Sequence, residues 1–225
     1  MAYEYIENNL RQLKEELADI SHGRSVTLVA VTKSGTDDEL TALCAAGADC
    51  IGENRPQELC RRAELLRAAG YSPIMHQIGN LQRNKVRTVI RTAGLIHTVD
   101  NLALAEEISR RAVAEGITVP VLIEVNSASE PQKDGVLPEQ AEQLLLSLRP
   151  LPGISVQGLM TMGPVCESEQ IRPYFRLTRE LFDRLGQKYG WQGGGVLSMG
   201  MSDSYRVAIE EGSTLVRIGR RLFEK

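Results

Sequence analysis

The stretch "VTLVAVTKSGTDDEL", residues 26–40, decides the fold. Val26 to Val31 make a near-continuous apolar, β-branched run, the pattern of a strand covered on both faces. Thr36 with Glu39 three residues on is a capping box, so a helix is predicted to begin there. A doubly covered strand leading at once into a helix asks for parallel neighbours, because parallel strands are joined through crossover helices. Lys33 stands between the two elements, a charged residue closing an apolar run.

The same alternation extends in both directions. Ile6, Leu10, Leu13, Leu17 and Ile20 recur at steps of four and three, the stripe of an amphipathic N-terminal helix. Gly47 stops the helix after Thr36, "ADCIG" is a second strand, and Pro56 suits the first turn of the next helix. "IMHQIG" (74–79) and "LIHTV" (95–99) read as strands, with helices predicted at about 80–92 and 101–115, the second capped by Asp100. "VPVLIEV" (119–125) is a strand, Pro138 opens a helix through Leu148, and "ISVQGLM" (154–160) is a strand. A long helix over 167–189, the strand "GVLS", a helix from Asp203 to Glu211 and the strand "TLVRIG" (214–219) complete the chain. Eight strands separated by helices predict a single-domain (β/α)8 barrel, a TIM barrel, spanning 1–225 with an extra N-terminal helix. The G-x-G-x-x-G fingerprint of an open doubly wound sheet is missing after the first strand.

The 225 residues are 42% apolar and 24% charged, an ordinary globular mixture. With 26 basic against 29 acidic side chains the net charge is −3, so no global basic field draws the chain to nucleic acid or to a membrane. The charged N-terminus lacks a signal-peptide apolar segment. Cys44, Cys50, Cys60 and Cys166 show neither metal-ligand spacing nor disulfide density and read as reduced, mostly buried thiols of a cytoplasmic protein.

Barrel active sites gather where strands end. Val29, Val31 and Lys33 share one face by the period-two alternation, which puts Lys33 at the C-terminal mouth. On these residues alone it is either a lysine snorkelling to solvent or a desolvated amine ready for Schiff-base formation. Arg217 lies between Val216 and Ile218, where a guanidinium needs an acceptor, either a ligand or an internal carboxylate. Gly219 removes a side chain from the same face and would let a ligand approach the backbone. "LSMGMSDS" (197–204) sets Ser198, Gly200 and Ser202 before a helix start, a phosphate cradle where barrels commonly hold phosphate; a capping turn would account for Ser202 alone. Asn54, His76 and Asn80 end the second and third strands, with His76 read as a satisfied barrel histidine and Asn80 as a helix cap. Arg83, Lys85 and Arg87 read as a solvated helix face and Lys133 as a solubilising loop lysine.

"LVAVTK", "IGENRPQEL", "HQIGNLQRNK", "GLMTMG", "LSMGMS" and "GSTLVRIG", in this order from about residue 26 to 219, resemble the YggS/PROSC family of pyridoxal phosphate homeostasis proteins. The resemblance implies a barrel like the N-terminal domain of alanine racemase, holding pyridoxal 5′-phosphate (PLP). Lys33 then matches the lysine of the internal aldimine and Arg217 the arginine facing the pyridine nitrogen. Ser198, Ser202 and the backbone around Gly219 match the phosphate-binding elements, and Asn54 lines the pocket. Met75, Gln77, "SGT" after Lys33, Ser204, Arg220 and Arg221 depart from the family's usual residues.

An always-charged arginine at the ring nitrogen weakens the ring as an electron sink. The chain ends soon after the eighth strand, where the racemases continue into a β domain with a second catalytic residue and dimer contacts. The reading adopted is a monomeric PLP carrier and regulator without substantial turnover, with PLP-dependent apoenzymes as recipients. A PLP-dependent amino-acid racemase or lyase is the alternative. A cofactor-free Schiff-base enzyme of the aldolase kind is the third reading.

Overall fold

In a computed structural model that describes residues 3–225, the eight strands close into one parallel barrel in chain order. They are β1 (Thr27–Val31), β2 (Cys50–Glu53), β3 (Ile74–Gln77), β4 (Ala93–Val99), β5 (Val119–Glu124), β6 (Ile154–Met160), β7 (Val196–Ser198) and β8 (Leu215–Ile218). The seam is made by β1 against β8, where Val29 lies opposite Arg217 and Ala30 opposite Ile218. Around the barrel run α1 (Glu4–Ser21), α2 (Asp37–Ala45), α3 (Pro56–Ala68), α4 (Val86–Val89), α5 (Leu102–Ala114), α6 (Ala141–Leu148), α7 (Arg172–Tyr189), α8 (Tyr205–Glu210) and α9 (Arg220–Phe223).

Alternation along each strand sorts the apolar residues into two cores. Val29, Cys50, Leu95, Leu122, Met160 and Leu215 fill the barrel interior. Their neighbours Ala30, Ile51, Ile96, Ile123, Leu159 and Val216 face outward and pack with helix residues such as Leu40, Leu59 and Phe175. The N-terminal stripe Ile6, Leu10, Leu13 and Leu17 is buried, and Glu16 on the same helix pairs with Arg221 of α9 at 2.8 Å.

The capping box at Thr36 is present, with Glu39 N–H donating to Thr36 Oγ1 at 3.2 Å. Several boundaries differ from expectation, three of them where strands end at the mouth. The helix predicted over 80–92 is a 3-10 turn at Arg83–Lys85 followed by the four-residue α4. Asn80 does not cap it, because its amide donates to Asp134 at 3.0 Å across the mouth. Asn101, not Asp100, caps α5 by accepting from Leu104 N–H at 2.9 Å. The helix expected from Asp203 begins at Tyr205, since Ser204 and Tyr205 both donate back to the Met201 carbonyl and fold residues 201–204 into a turn.

No helix among the described residues is long and apolar enough to cross a membrane. Of the four cysteines, all free, Cys44 and Cys50 are buried, Cys60 is half-buried and Cys166 is exposed.

Candidate functional site

Lys33 sits in a closed turn. Gly35 N–H donates to the Thr32 carbonyl at 2.9 Å, which makes Lys33 and Ser34 the two central residues of a hydrogen-bonded β-turn. Thr32, just past the end of β1, donates its hydroxyl to Glu53, and Lys33 follows it at the C-terminal end of the strand. The Lys33 side chain is exposed and makes no hydrogen bond or ion pair among the described residues. Gly35 is required here, because a Cβ on it would come within 2.7 Å of the Phe223 ring.

Below the mouth a polar layer crosses the barrel. Arg217 is 3% exposed; its Nη1 donates to Ser198 Oγ and its Nη2 to the Thr161 carbonyl at 3.0 Å. Ser198 Oγ lies 3.1 Å from His97 Nδ1, and His97 Nε2 lies 2.9 Å from His76 Nδ1. A guanidinium only donates, so Ser198 accepts from Arg217 and its own proton goes to His97 Nδ1, the other neighbour in a site closed to water. His97 then carries its hydrogen on Nε2 and donates it to His76 Nδ1, which leaves His76 protonated on Nε2. Both rings are neutral: burial lowers His76 to about 4, and burial with the nearby His76 and Arg217 holds His97 well below its usual range.

Arg217 itself is lowered by burial to about 10, with Glu124 opposing the fall, and stays a cation at neutral pH. Glu124, on the inward face of β5, is 7% exposed and its carboxyl makes no side-chain hydrogen bond among the described residues. Burial raises it to about 7, aided by Asp100 and Asp134 and opposed by Arg217. Neither His97 nor Glu124 was singled out in the sequence, although each follows an interior leucine, Leu95 or Leu122, by two residues.

The loops after β7 and β8 complete the mouth. Ser202 is half-buried and neither its hydroxyl nor its N–H has a partner among the described residues. Gly219 N–H is likewise without an acceptor among them. Gly200, at φ 97°, lets this loop pack on α8, since a Cβ there would meet Ala208 Cβ at 2.5 Å. The fold also requires glycine at Gly219, since a Cβ would sit 2.9 Å from the Val31 carbonyl oxygen across the seam. Ser198 lies deeper than Ser202, its hydroxyl taken by Arg217 and His97, so only Ser202 of the two serines is free at the lip. Asn54 is exposed where β2 ends, and its carbonyl accepts from Gln77 at 3.0 Å. Lys133 is not a solvated loop lysine: its Nζ bonds Glu130 and the Gly163 carbonyl, each at 2.8 Å.

A primary amine, a hydroxyl and N–H groups that are unpaired among the described residues, with a buried guanidinium, thus lie at one barrel end. The set suits a ligand carrying a carbonyl carbon and an anionic group.

Comparison with known proteins agrees. The family model described as "Alanine racemase, N-terminal domain" matches residues 2–224. A pyridoxal phosphate homeostasis protein of Aquifex aeolicus is 42% identical, over 87% of this chain and 85% of the relative. The structure of PipY from Synechococcus elongatus PCC7942 with PLP bound superposes with a TM-score of 0.85 at 29% identity, covering 97% of this chain and 100% of PipY. An alanine racemase of Clostridium difficile shares the barrel alone, with a TM-score of 0.74 at 18% identity over 97% of this chain and 56% of the racemase. The chain belongs to the alanine racemase N-terminal domain family and, within it, to the pyridoxal phosphate homeostasis proteins.

Proposed function

We propose that this chain binds PLP at the barrel mouth, attached through Lys33, and serves intracellular PLP homeostasis as a carrier and regulator rather than as an enzyme with substantial turnover. The observation that carries the reading is the Lys33 amine, unpaired among the described residues, on a closed turn at the same barrel end as the unpaired Ser202. The donor set fits the cofactor: an amine for its aldehyde, a hydroxyl and two N–H groups for its phosphate, and a guanidinium beneath. PLP supplies an aldehyde that condenses with amines and a ring that draws electrons from the attached carbon.

The residues here favour holding over turning over. Arg217 keeps a fixed positive charge in the layer under the mouth, where a second cation at the ring nitrogen would be repelled. His76 and His97 are neutral and bonded to each other and to Ser198, so neither is free to accept a substrate proton. Recipients of the cofactor are PLP-dependent apoenzymes in the cytoplasm, served by a monomeric single-domain carrier.

The test mixes PLP-loaded protein with a PLP-dependent apoenzyme and, separately, with amino acids. Restored activity in the first mixture, with no racemisation or cleavage above that of free PLP in the second, is expected. Sustained turnover in the second would favour the racemase or lyase reading.

A further inference from the structure

The turn that presents Lys33 is gripped from behind by a side chain of α3. Arg62 sends Nη1 to the Thr32 carbonyl and Nη2 to the Gly35 carbonyl at 2.9 Å, the two ends of the turn whose centre is Lys33 and Ser34. The same Nη1 pairs with Glu53 Oε1 at 2.7 Å, and Glu53 Oε1 also accepts the Thr32 hydroxyl. Both charged side chains are buried, 8% and 3% exposed. Thr32 is held at every polar atom, because its N–H also donates to the Gly52 carbonyl at 3.3 Å.

We propose that Arg62 is a positioning residue for the cofactor amine: with Glu53 as counter-ion, it locks the Thr32–Gly35 turn so that Lys33 is presented at the mouth before the cofactor arrives. The proposal rests on Lys33 being the point of attachment. Arg62 does not touch Lys33; it acts through the two main-chain carbonyls that flank it.

A buried ion pair is a weak source of stability, since desolvation offsets the attraction. Here the fork is spent on turn carbonyls, while its Nε is left without a hydrogen bond, 3.6 Å from Glu58. The guanidinium is thus oriented by the turn and Glu53, not by satisfying all its donors. Only a planar fork spans two carbonyls and a carboxylate; an ammonium is a single point of charge. Phe223 blocks the turn at Gly35, so the segment is held from two sides. A turn ordered in advance saves the ordering entropy that binding would otherwise cost.

The test compares wild type with Arg62→Lys in two measurements. Amide exchange at Gly35, whose N–H closes the turn, is read in cofactor-free protein; PLP titration is followed by absorbance. Slow Gly35 exchange is expected in wild type. Arg62→Lys, which keeps the charge opposite Glu53, should speed that exchange and raise the PLP dissociation constant, each about tenfold, the factor that follows from losing one charge-assisted bond. Restoring arginine should restore both. Wild-type affinity in Arg62→Lys overturns the proposal, as does wild-type Gly35 exchanging like an open loop, a result that needs no folded variant. A wild type that binds PLP with Gly35 unprotected sinks the clamp alone, whereas a protected Gly35 without PLP uptake sinks the attachment reading and the clamp's purpose with it.

Discussion

Arg217 Nη1 donates to Ser198 Oγ, and that bond orients the hydrogen bonds of two neutral histidines further along the barrel. Because arginine cannot accept, Ser198 is left to donate its O–H to His97 Nδ1, and His97 Nε2–H donates in turn to His76 Nδ1. A cation on β8 thereby fixes tautomers on β4 and β3, and the polar layer under the mouth is ordered in one direction.

This direction is measurable. Nitrogen-15 NMR should show His76 and His97 as neutral Nε2–H tautomers throughout about pH 5.5 to 8, since burial keeps both below the usual histidine range. An imidazolium signal from either ring in that interval would contradict the assignment.

Ser198→Ala removes the shared oxygen and leaves a buried Arg217 donor and the His97 Nδ1 unpartnered. A loss of about 2–3 kcal/mol in unfolding free energy is expected, with weaker PLP retention because the guanidinium loses an anchor. A denaturant midpoint equal to wild type would mean that water replaces the hydroxyl without cost.

Two buried groups give stability opposite slopes with pH. His76 has a folded pKa of about 4, below its ordinary value of 6.5, so the unfolded chain binds more protons between them and stability rises with pH in that window. Glu124 has a folded pKa raised from 4.5 to about 7, so the folded chain binds more protons there and stability falls as pH rises through that window. Glu124→Gln should therefore match wild type at about pH 4 and exceed it above pH 7, by up to about 3 kcal/mol. Denaturant unfolding at both pH values checks the sign; a variant less stable than wild type at high pH would reverse it.

Much of the barrel is legible in the sequence because parallel strands are apolar on both faces. "ISVQGLM" is β6 residue for residue, and β1 starts one residue later than the apolar run. The segment over 80–92 misleads because Val86, Val89 and Ile90 have helical spacing, yet Gln82 is extended at ψ 143° and Asn80 is tied sideways to Asp134. At the site, position near a strand end made Lys33 and Arg217 candidates, but on the residues alone each kept a purely structural reading. Ser198 looked like part of the lip from its closeness to Ser202, but its partners lie on β4 and β8, about 101 and 19 residues away. The Arg62 clamp left a local trace: Leu59, Arg62, Ala63 and Leu66 share a buried helical face while Arg61 turns out to Asp37. Its purpose is invisible without the turn it grips, 30 residues upstream.

The most direct test of the central claim is the visible absorption spectrum of PLP-treated wild type and Lys33→Ala, before and after borohydride, with peptide mapping of the reduced protein. Lys33 is exposed and unbonded among the described residues, so its removal should change unfolding free energy by no more than about 0.5 kcal/mol. The account predicts a visible band in wild type that borohydride bleaches, the label on the peptide carrying Lys33, and a folded variant without the band. A colourless wild type, or a band that persists in Lys33→Ala, would contradict it.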